Sequence, residues 1–229
     1  DPPLHYQAAS PAFGGRLDRF DAPRSVEDFA ALREARPQAR LLAGATDIGL
    51  WVNKQFRDVG DLLYIGAVEP LKQIEASTLA DGRPALRIGA AASLEAAWGA
   101  LAEAAPALRE LWLRFASPPV RLAGTLGGNI ANGSPIGDGA PALIALGAEL
   151  LLRRGAQQRR LPLQDFYLDY MKNALQPGEF LEALLVPLPA PGELLRAYKI
   201  SKRYDSDISA VCAVLSLDLD GDTVREARL

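Results

Sequence analysis

The sequence has one cysteine, Cys212, and one histidine, His5, in 229 residues. A single thiol excludes an internal disulfide, and a cysteine-ligated iron–sulfur cluster needs several thiolates. A zinc site would have to consist almost entirely of carboxylates, and a serine nucleophile would lack its histidine base. Cys212 lies in a strand-like segment, which indicates a buried and inert thiol. These shortages argue against thiol, metal or serine-hydrolase chemistry on this chain.

Long hydrophobic runs and a strong charge of either sign are also lacking. Apolar residues make up 49% of the chain, which is ample for a packed core. The longest apolar run, Ala140–Leu152, contains Glu149 and is too short to span a bilayer. The net charge of −3 provides no basic surface for nucleic acid or an anionic membrane. Because no basic-then-apolar leader opens the sequence, we expect a cytoplasmic protein without nucleic-acid or membrane partners.

Two segments, by contrast, combine glycine with other small or polar residues. The second glycine segment, Thr125–Asp138 (TLGGNIANGSPIGD), contains four glycines and two asparagines. Glycine adopts backbone angles closed to other residues and lets a ligand approach the main chain. We interpret the segment as a long functional loop whose N–H groups form a nest for an anion such as phosphate. The first glycine segment, Arg40–Gly49 (RLLAGATDIG), indicates a short strand that opens into a small-residue turn.

Neither segment fits a familiar phosphate-binding fingerprint. The sequence has no G-x-x-x-x-G-K-[ST], and no G-x-G-x-x-G that follows a strand and opens a helix. A nucleotide held by these segments would therefore be bound through another geometry.

Local signals predict several regular elements. Ser25 is placed as the N-cap of a helix that stops at Pro37, and Ser93 as the N-cap of a helix over Leu94–Ala104. Asp220-Gly221 between two apolar, alternating runs predicts a β-hairpin. The mixture of helices and strands indicates an α+β fold.

The two glycine segments together resemble the flavin-binding domain of the xanthine dehydrogenase family, within the PCMH-type (vanillyl-alcohol-oxidase-like) flavoproteins. The likeness continues through Tyr170–Lys172, Pro177–Glu179 and Tyr198–Ala210, and covers nearly the whole chain from about Phe20. It implies a PCMH-type FAD-binding domain of two α+β subdomains at residues 20–189. A linker or arm is implied at residues 1–19, and the start of a further, truncated α+β domain at residues 190–229.

The resemblance also implies the cofactor and its contacts. FAD would be bound without a covalent link, since neither segment offers a suitable histidine or cysteine, and no residue is implied to be catalytic or to bind a metal. The first segment would wrap the adenine-side diphosphate, and the second would line the pyrophosphate and flavin. The implied cofactor-binding residues are Leu41, Leu42, Ala43, Gly44, Ala45, Thr46, Asp47 and Ile48 in the first segment, Thr125, Gly127, Gly128, Asn129 and Asp138 in the second, and Phe115, Leu181 and Lys199 elsewhere.

The resemblance implies a specific role for three of these residues. Phe115 would stack close to the isoalloxazine, Leu181 would pack on the adenine side, and Lys199 would lie near the flavin or its phosphates. Tyr170 and Asp207 would surround the entrance for a nicotinamide dinucleotide.

Each implied residue also has a purely structural explanation. Gly127 and Gly128 can form a tight turn, and Phe115 has the helical spacing of a core residue relative to Leu111. Lys199 can belong to a solvated basic face. The remaining structural explanations are a half-buried tyrosine for Tyr170 and capping for Asp47 and Asp138.

The activity implied is electron transfer in a xanthine dehydrogenase-type molybdenum hydroxylase. Electrons would pass from iron–sulfur clusters through FAD to NAD+, and the clusters and the molybdenum cofactor would sit on partner domains or subunits. This makes the chain part of an FAD-dependent oxidoreductase that is incomplete alone. The alternatives are the medium-subunit flavoprotein of a carbon monoxide or aldehyde dehydrogenase, and a non-catalytic nucleotide-binding module.

The first glycine segment favours the xanthine type. Carbon monoxide dehydrogenase medium subunits tend to have Ala-Gly-Gly-Gln-Ser where this chain has Ala43-Gly44-Ala45-Thr46-Asp47. The family often has glutamate at the position of Asp47, and an arginine common in animal members is replaced by Met171. These two departures leave the docking of nicotinamide open.

Overall fold

The computed structural model describes residues 2–10 and 14–229, which form seven α-helices and fourteen β-strands. The helices are α1 (Val26–Ala35), α2 (Ile48–Asn53), α3 (Leu94–Ala104), α4 (Arg109–Arg114), α5 (Pro118–Ala123), α6 (Leu126–Asn132) and α7 (Gly139–Ala145). The strands are β1 (Leu4–Ser10), β2 (Arg16–Ala22), β3 (Arg40–Leu42), β4 (Leu62–Tyr64), β5 (Ile74–Thr78), β6 (Pro84–Gly89), β7 (Glu149–Arg154), β8 (Gln157–Pro162), β9 (Tyr167–Asp169), β10 (Lys172–Asn173), β11 (Phe180–Pro187), β12 (Leu194–Ile200), β13 (Val211–Asp220) and β14 (Thr223–Arg228).

The first subdomain is a four-stranded sheet in the order β1-β2-β4-β3. Strands β2 and β3 both pair in parallel with β4, and α1 provides the crossover between β2 and β3. The hydroxyl of Ser25 accepts the N–H of Asp28 at 3.0 Å, which satisfies one donor of the first helical turn. The helix ends before Pro37, so the predicted start and stop of α1 are confirmed.

Most of the segment predicted as a linker or arm (residues 1–19) is paired in this sheet. Strands β1 and β2 form an antiparallel hairpin from Leu4↔Ala22 to Ser10↔Arg16. His5 is mostly exposed, and its Nδ1 lies 2.5 Å from the carboxylate of Asp21. Asp1 and residues 11–13 of the segment lie outside the described residues. A connection to a preceding domain stays a prediction.

The second subdomain is a five-stranded antiparallel sheet in the order β5-β6-β11-β7-β8. Its central strand β11 is buried along its whole length, which explains why it is apolar apart from Glu182. Helix α3 has the predicted bounds, and the Ser93 hydroxyl accepts the N–H of Ala96 at 3.1 Å. Pro118 and Pro119 open α5, because proline fits the first helical turn without a lost hydrogen bond.

One hydrophobic core joins the two subdomains. Phe29 of α1 meets Phe180 of β11 edge-to-face, with ring centroids 4.8 Å apart, and both rings are fully buried. Trp98 of α3 belongs to the same cluster. Leu41 of β3 and Leu181 of β11 both line the candidate site described below.

The last three strands form a separate sheet in the order β12-β13-β14. The predicted hairpin at Asp220-Gly221 is confirmed, with Gly221 in the left-handed region at φ 58°. Strand β13 packs against α7, and β12 packs against α4. Because of this packing, Lys199 on β12 reaches the same space as the two glycine segments.

Candidate functional site

The first glycine segment forms a tight turn between β3 and α2, at residues 44–47. A Cβ on Gly44 would overlap the carbonyl oxygen of Ala123 and lie 2.7 Å from the Cα of Gly124. Only glycine therefore allows this close approach of two backbones. Ala45 next to it is left-handed, with φ 59°, which turns successive N–H groups toward one side.

The N–H groups of this turn are unsatisfied by the protein. Within residues 2–10 and 14–229, the backbone nitrogens of Gly44, Ala45, Thr46 and Asp47 donate to no acceptor. Unpaired backbone donors cost free energy unless water or a ligand accepts from them. Residues 44–47 therefore form an N–H nest for an anion, which we call the nest.

The second glycine segment is not the long loop that we predicted. Residues Leu126–Asn132 form α6, and Thr125 is its N-cap, whose hydroxyl accepts the N–H of Gly128 at 3.0 Å. The N–H of Gly127 donates to the carbonyl of Ala90, and that of Asn129 to the carbonyl of Thr125. The prediction of an anion nest in this segment is thus wrong at these three nitrogens, because capping and a tertiary contact already satisfy them.

The two glycines of α6 serve different purposes. A Cβ on Gly127 would lie 2.5 Å from the carbonyl oxygen of Ala90, so Gly127 is required by close packing. A Cβ on Gly128 would meet only Thr125 Oγ1 at 2.9 Å and Ala43 Cβ at 3.9 Å. Gly128 therefore presents a bare backbone surface to the same cleft that residues 44–47 line. Neither glycine is a simple turn residue.

A side-chain bridge fastens the nest to α6. Asn132 Nδ2 donates to Asp47 Oδ2 at 2.9 Å. Asp47 stands at the N-cap position of α2, yet its side chain makes no capping hydrogen bond. The capping role that we considered for Asp47 is therefore replaced by a contact between the two glycine segments.

A buried ion pair closes the other side of the site. Lys199 Nζ lies 2.7 Å from Asp138 Oδ2, and the two side chains are 2% and 5% exposed. Ser209 completes the cluster, accepting from Lys199 at 2.7 Å and donating to Asp138 Oδ1 at 2.6 Å. A solvated basic face is thus wrong for Lys199, and Asp138 caps no helix through its side chain. An ammonium has three donors, so one N–H of Lys199 remains for a ligand.

Phe115 follows α4 and is 7% exposed. Its ring centroid lies 5.7 Å from that of Trp98, and its carbonyl accepts from Arg121 at 2.8 Å. The residue belongs to the hydrophobic core and also lines the site, so the two explanations offered for it are compatible. Stacking on an isoalloxazine ring stays a prediction.

All these features surround one cleft of about 700 Å³, which is within the usual size of a cofactor site. Fifteen of the sixteen residues that we predicted to bind the cofactor line it, and Leu42 is the exception. Side chains alternate along a strand, so Leu42 points away from the cleft that its neighbours Leu41 and Ala43 contact. Asp207 lines the cleft as well, whereas Tyr170 is 77% exposed and lines a different depression.

Some cleft residues escaped the sequence reasoning. Ala116 and Ser206 line the cleft in left-handed conformations, with φ 48° and 49°. Together with Ala45 they concentrate backbone strain around one space, which is typical of functional sites. Arg33 of α1 also lines the cleft, although nothing in its local pattern distinguishes it from a solvated helix residue. These residues are recognisable only from the tertiary structure.

Cys212 lies outside the cleft and is chemically quiet. Its thiol is half-buried, and burial, followed by the charge of Asp138, raises its pKa to about 12.

The described part of the chain contains no group of three or more histidine, cysteine or carboxylate side chains placed to hold a metal. None of its helices combines the length and apolar character that a bilayer crossing demands.

Comparisons with known proteins agree with this geometry. Residues 17–189 match the model of the family described as FAD binding domain in molybdopterin dehydrogenase. Because that match covers most of the chain, the chain belongs to this family. Its fold is accordingly the predicted α+β, PCMH-type FAD-binding fold.

Three relatives show the range of the likeness. Nicotinate hydroxylase of Emericella nidulans is 33% identical over 95% of this chain and 17% of its own length. Xanthine dehydrogenase of the same organism is 29% identical over 91% of this chain and 16% of its own length. A solved carbon monoxide dehydrogenase chain from Hydrogenophaga pseudoflava superposes with a TM-score of 0.81 and 26% identity, over 91% of this chain and 71% of that one. The chain thus spans about a sixth of the length of the two curated relatives.

The cleft fits the cofactor that the family binds. The nest offers unsatisfied N–H groups to a diphosphate, and Gly128, which lines the same cleft, leaves room for a ligand against bare backbone. Apolar side chains and one buried lysine complete the lining. This combination of a few fixed polar groups in an apolar cleft is usual for dinucleotide cofactors.

Proposed function

We propose that the chain is the flavin-binding electron-transfer domain of a xanthine dehydrogenase-type molybdenum hydroxylase. It takes electrons from iron–sulfur clusters and passes them through FAD to NAD+, with the clusters and the molybdenum cofactor on partner domains or subunits. The observation that carries this proposal is that the nest and the bare backbone at Gly128 line one cleft, in a chain of the FAD-binding family. When bound, FAD supplies one- and two-electron redox chemistry that no side chain of this protein provides.

The residues of the chain bind and orient the cofactor. The N–H groups of the nest hold the diphosphate, with the Thr46 hydroxyl beside them, and Leu41 and Leu181 pack on the adenine side. Thr125 keeps α6 in place through its cap, so that Gly128 can approach the pyrophosphate. Lys199, oriented by Asp138 and Ser209, offers its remaining N–H toward the flavin end. Phe115 shields one ring face from water, and Asp207 stands at the nicotinamide entrance.

The domain division is part of the proposal. Residues 20–189 are the FAD-binding domain, and residues 190–229 begin a further α+β domain. The end of the family match at residue 189 supports this boundary. Alternate residues on one face of the last sheet are exposed and apolar, as expected for a sheet that packs against more protein: Tyr198 at 50%, Ile200 at 59% and Val211 at 50%.

A spectrum of the purified chain tests the proposal. After incubation with FAD and removal of excess ligand, we expect flavin absorbance that NADH bleaches under anaerobic conditions. Acid precipitation should release all the colour, because neither His5 nor Cys212 lines the cleft and so neither can hold the flavin covalently. Absorbance without bleaching would remove NAD+ as the acceptor. An adenine nucleotide bound without any flavin would favour the non-catalytic module.

The medium-subunit type of carbon monoxide dehydrogenase is the second candidate. The superposition on the Hydrogenophaga pseudoflava enzyme favours it, because that similarity covers almost the whole chain. The NADH experiment separates the two candidates, since reduction by NADH supports only the proposal that includes NAD+.

Replacing Gly128 with valine should abolish flavin uptake while the domain still folds. A Cβ here meets two side-chain atoms and otherwise points into the cleft, so the added methyl groups fill the space that the ligand needs. Flavin stoichiometry after gel filtration measures the loss, and circular dichroism of the flavin-free protein checks the fold. A folded variant with normal flavin content would remove Gly128 from the site.

A further inference from the structure

Arg33 lies in the last turn of α1 and lines the cleft. Its Nε donates to the carbonyl of Glu179 at 3.1 Å, and its Nη1 to the carbonyls of Pro37 and Ala39 at 2.9 and 2.8 Å. The guanidinium therefore ties the approach to β3, in the first subdomain, to the residue before β11, in the second. Three hydrogen bonds hold its plane in one orientation.

No carboxylate neutralises this cation within the described residues. Glu179, whose backbone carbonyl accepts from Arg33, binds Arg159 through both carboxylate oxygens at 2.7 and 2.8 Å. Burial is the cause that lowers the pKa of Arg33, with no opposing charge contribution. Nη2 has no acceptor among residues 2–10 and 14–229. A partly desolvated, positively charged donor thus remains for a ligand in the cleft.

The position of Arg33 indicates which part of the ligand it meets. Ala39, which it binds, precedes β3, whereas the nest follows the other end of the same strand. Leu41 and Leu181 line the same cleft as the guanidinium and provide apolar surface, which suits a flat base and not a phosphate. A nucleotide with its diphosphate in the nest would extend its base along β3 toward Arg33.

We propose that Nη2 of Arg33 donates a hydrogen bond to an acceptor nitrogen of the adenine ring and so selects the base of the cofactor. The inference rests on the proposed function, because it takes FAD as the ligand. Arginine has only donors, so it can recognise N1, N3 or N7 of adenine, each of which is an acceptor. The carbonyls of Pro37, Ala39 and Glu179 preorganise the donor before the ligand arrives.

The test compares FAD with 1-deaza-, 3-deaza- and 7-deaza-adenine FAD on the unchanged, flavin-free chain. Replacing one ring nitrogen by C–H removes a single acceptor and leaves the protein fold untouched. We expect one analogue to bind about tenfold more weakly or worse, and the other two to bind like FAD. Equal affinities, or equal losses for all three analogues, would overturn the role of Arg33. Failure of FAD itself to bind would overturn the proposed function as well.

Arg33→Met supplies the second arm of the test. If Arg33 is the donor, the variant should bind FAD and the weak analogue with the same affinity. If Arg33 only supports the fold, all affinities fall together and the discrimination between the ligands persists, which would contradict the proposal. Arg36→Met is the matched control, because Arg36 pairs with Asp21 and Asp61 and does not line the cleft. Arg36→Met should still bind FAD more tightly than the weak analogue, by the same factor as the unchanged chain.

Discussion

Gly44→Ala is expected both to destabilise the protein strongly and to abolish flavin binding. The new Cβ would overlap the carbonyl oxygen of Ala123 and press on the Cα of Gly124, and neither backbone atom can move by rotating a side chain. Overpacking of this kind costs about 1–3 kcal/mol, and a contact with backbone belongs at the upper end of that range. We expect the free energy of unfolding in urea to fall by about 3 kcal/mol and flavin binding to be lost with the nest.

Gly49→Ala is the matched control in the same segment. A Cβ on Gly49 meets no atom within 4 Å, and the residue lies inside α2. Alanine is the better helix former, so the control should be neutral or more stable by up to about 1 kcal/mol. Equal destabilisation by both substitutions would show that the contact between Gly44 and Ala123 does not constrain this turn.

Lys199→Met is expected to destabilise the flavin-free protein by about 3–5 kcal/mol. The substitution leaves the Asp138 side chain buried with only Ser209 to stabilise it, and a buried ion-pair partner without its counter-charge is costly. The measurement is urea unfolding without flavin, so that a lost ligand contact does not contribute. Asp138→Asn added to Lys199→Met should restore part of the loss, because the remaining pair is then uncharged.

Lys72→Met tests whether burial of the ion pair causes the large loss of stability expected for Lys199→Met. Lys72 Nζ lies 2.7 Å from Glu69 Oε1, the same distance as in the buried pair, but the two side chains are 40% and 73% exposed. An exposed pair contributes at most about 1 kcal/mol, so this control should change stability by less than that. If both lysine substitutions lowered the free energy of unfolding by a similar amount, burial of the Lys199–Asp138 pair would not explain the loss.

Much of the fold was open to prediction because its signals are local. Ser25 and Ser93 cap helices through hydrogen bonds to N–H groups three residues away, so a short window of sequence contains the whole interaction. The hairpin at Asp220-Gly221 likewise depends on a turn that glycine alone favours. The pairing of β1 with β2 was missed, because proline and glycine in that segment dominate its local pattern.

The site was predictable as a set of residues but not as an arrangement. Membership follows from the glycine segments and the family resemblance, which is why fifteen of sixteen residues line one cleft. The role of each residue was harder to predict. The N–H groups of Gly127 and Gly128 donate to Ala90 and Thr125, so the anion nest lies in the first glycine segment and not in the second. Hydrogen-bond partners such as Ala90 are distant in sequence, so no pattern around the glycines could reveal them.

By itself the sequence determined the α+β class, the capped helices, the shortage of metal and thiol chemistry and the two glycine segments as the place to look. These follow from propensities and spacings that act over a few residues. Only the tertiary structure decided that Lys199 is buried against Asp138, that Leu42 faces away and that Arg33 has a donor to spare. Such facts depend on which remote atoms occupy the remaining space, and close packing settles that question only when the whole chain has folded.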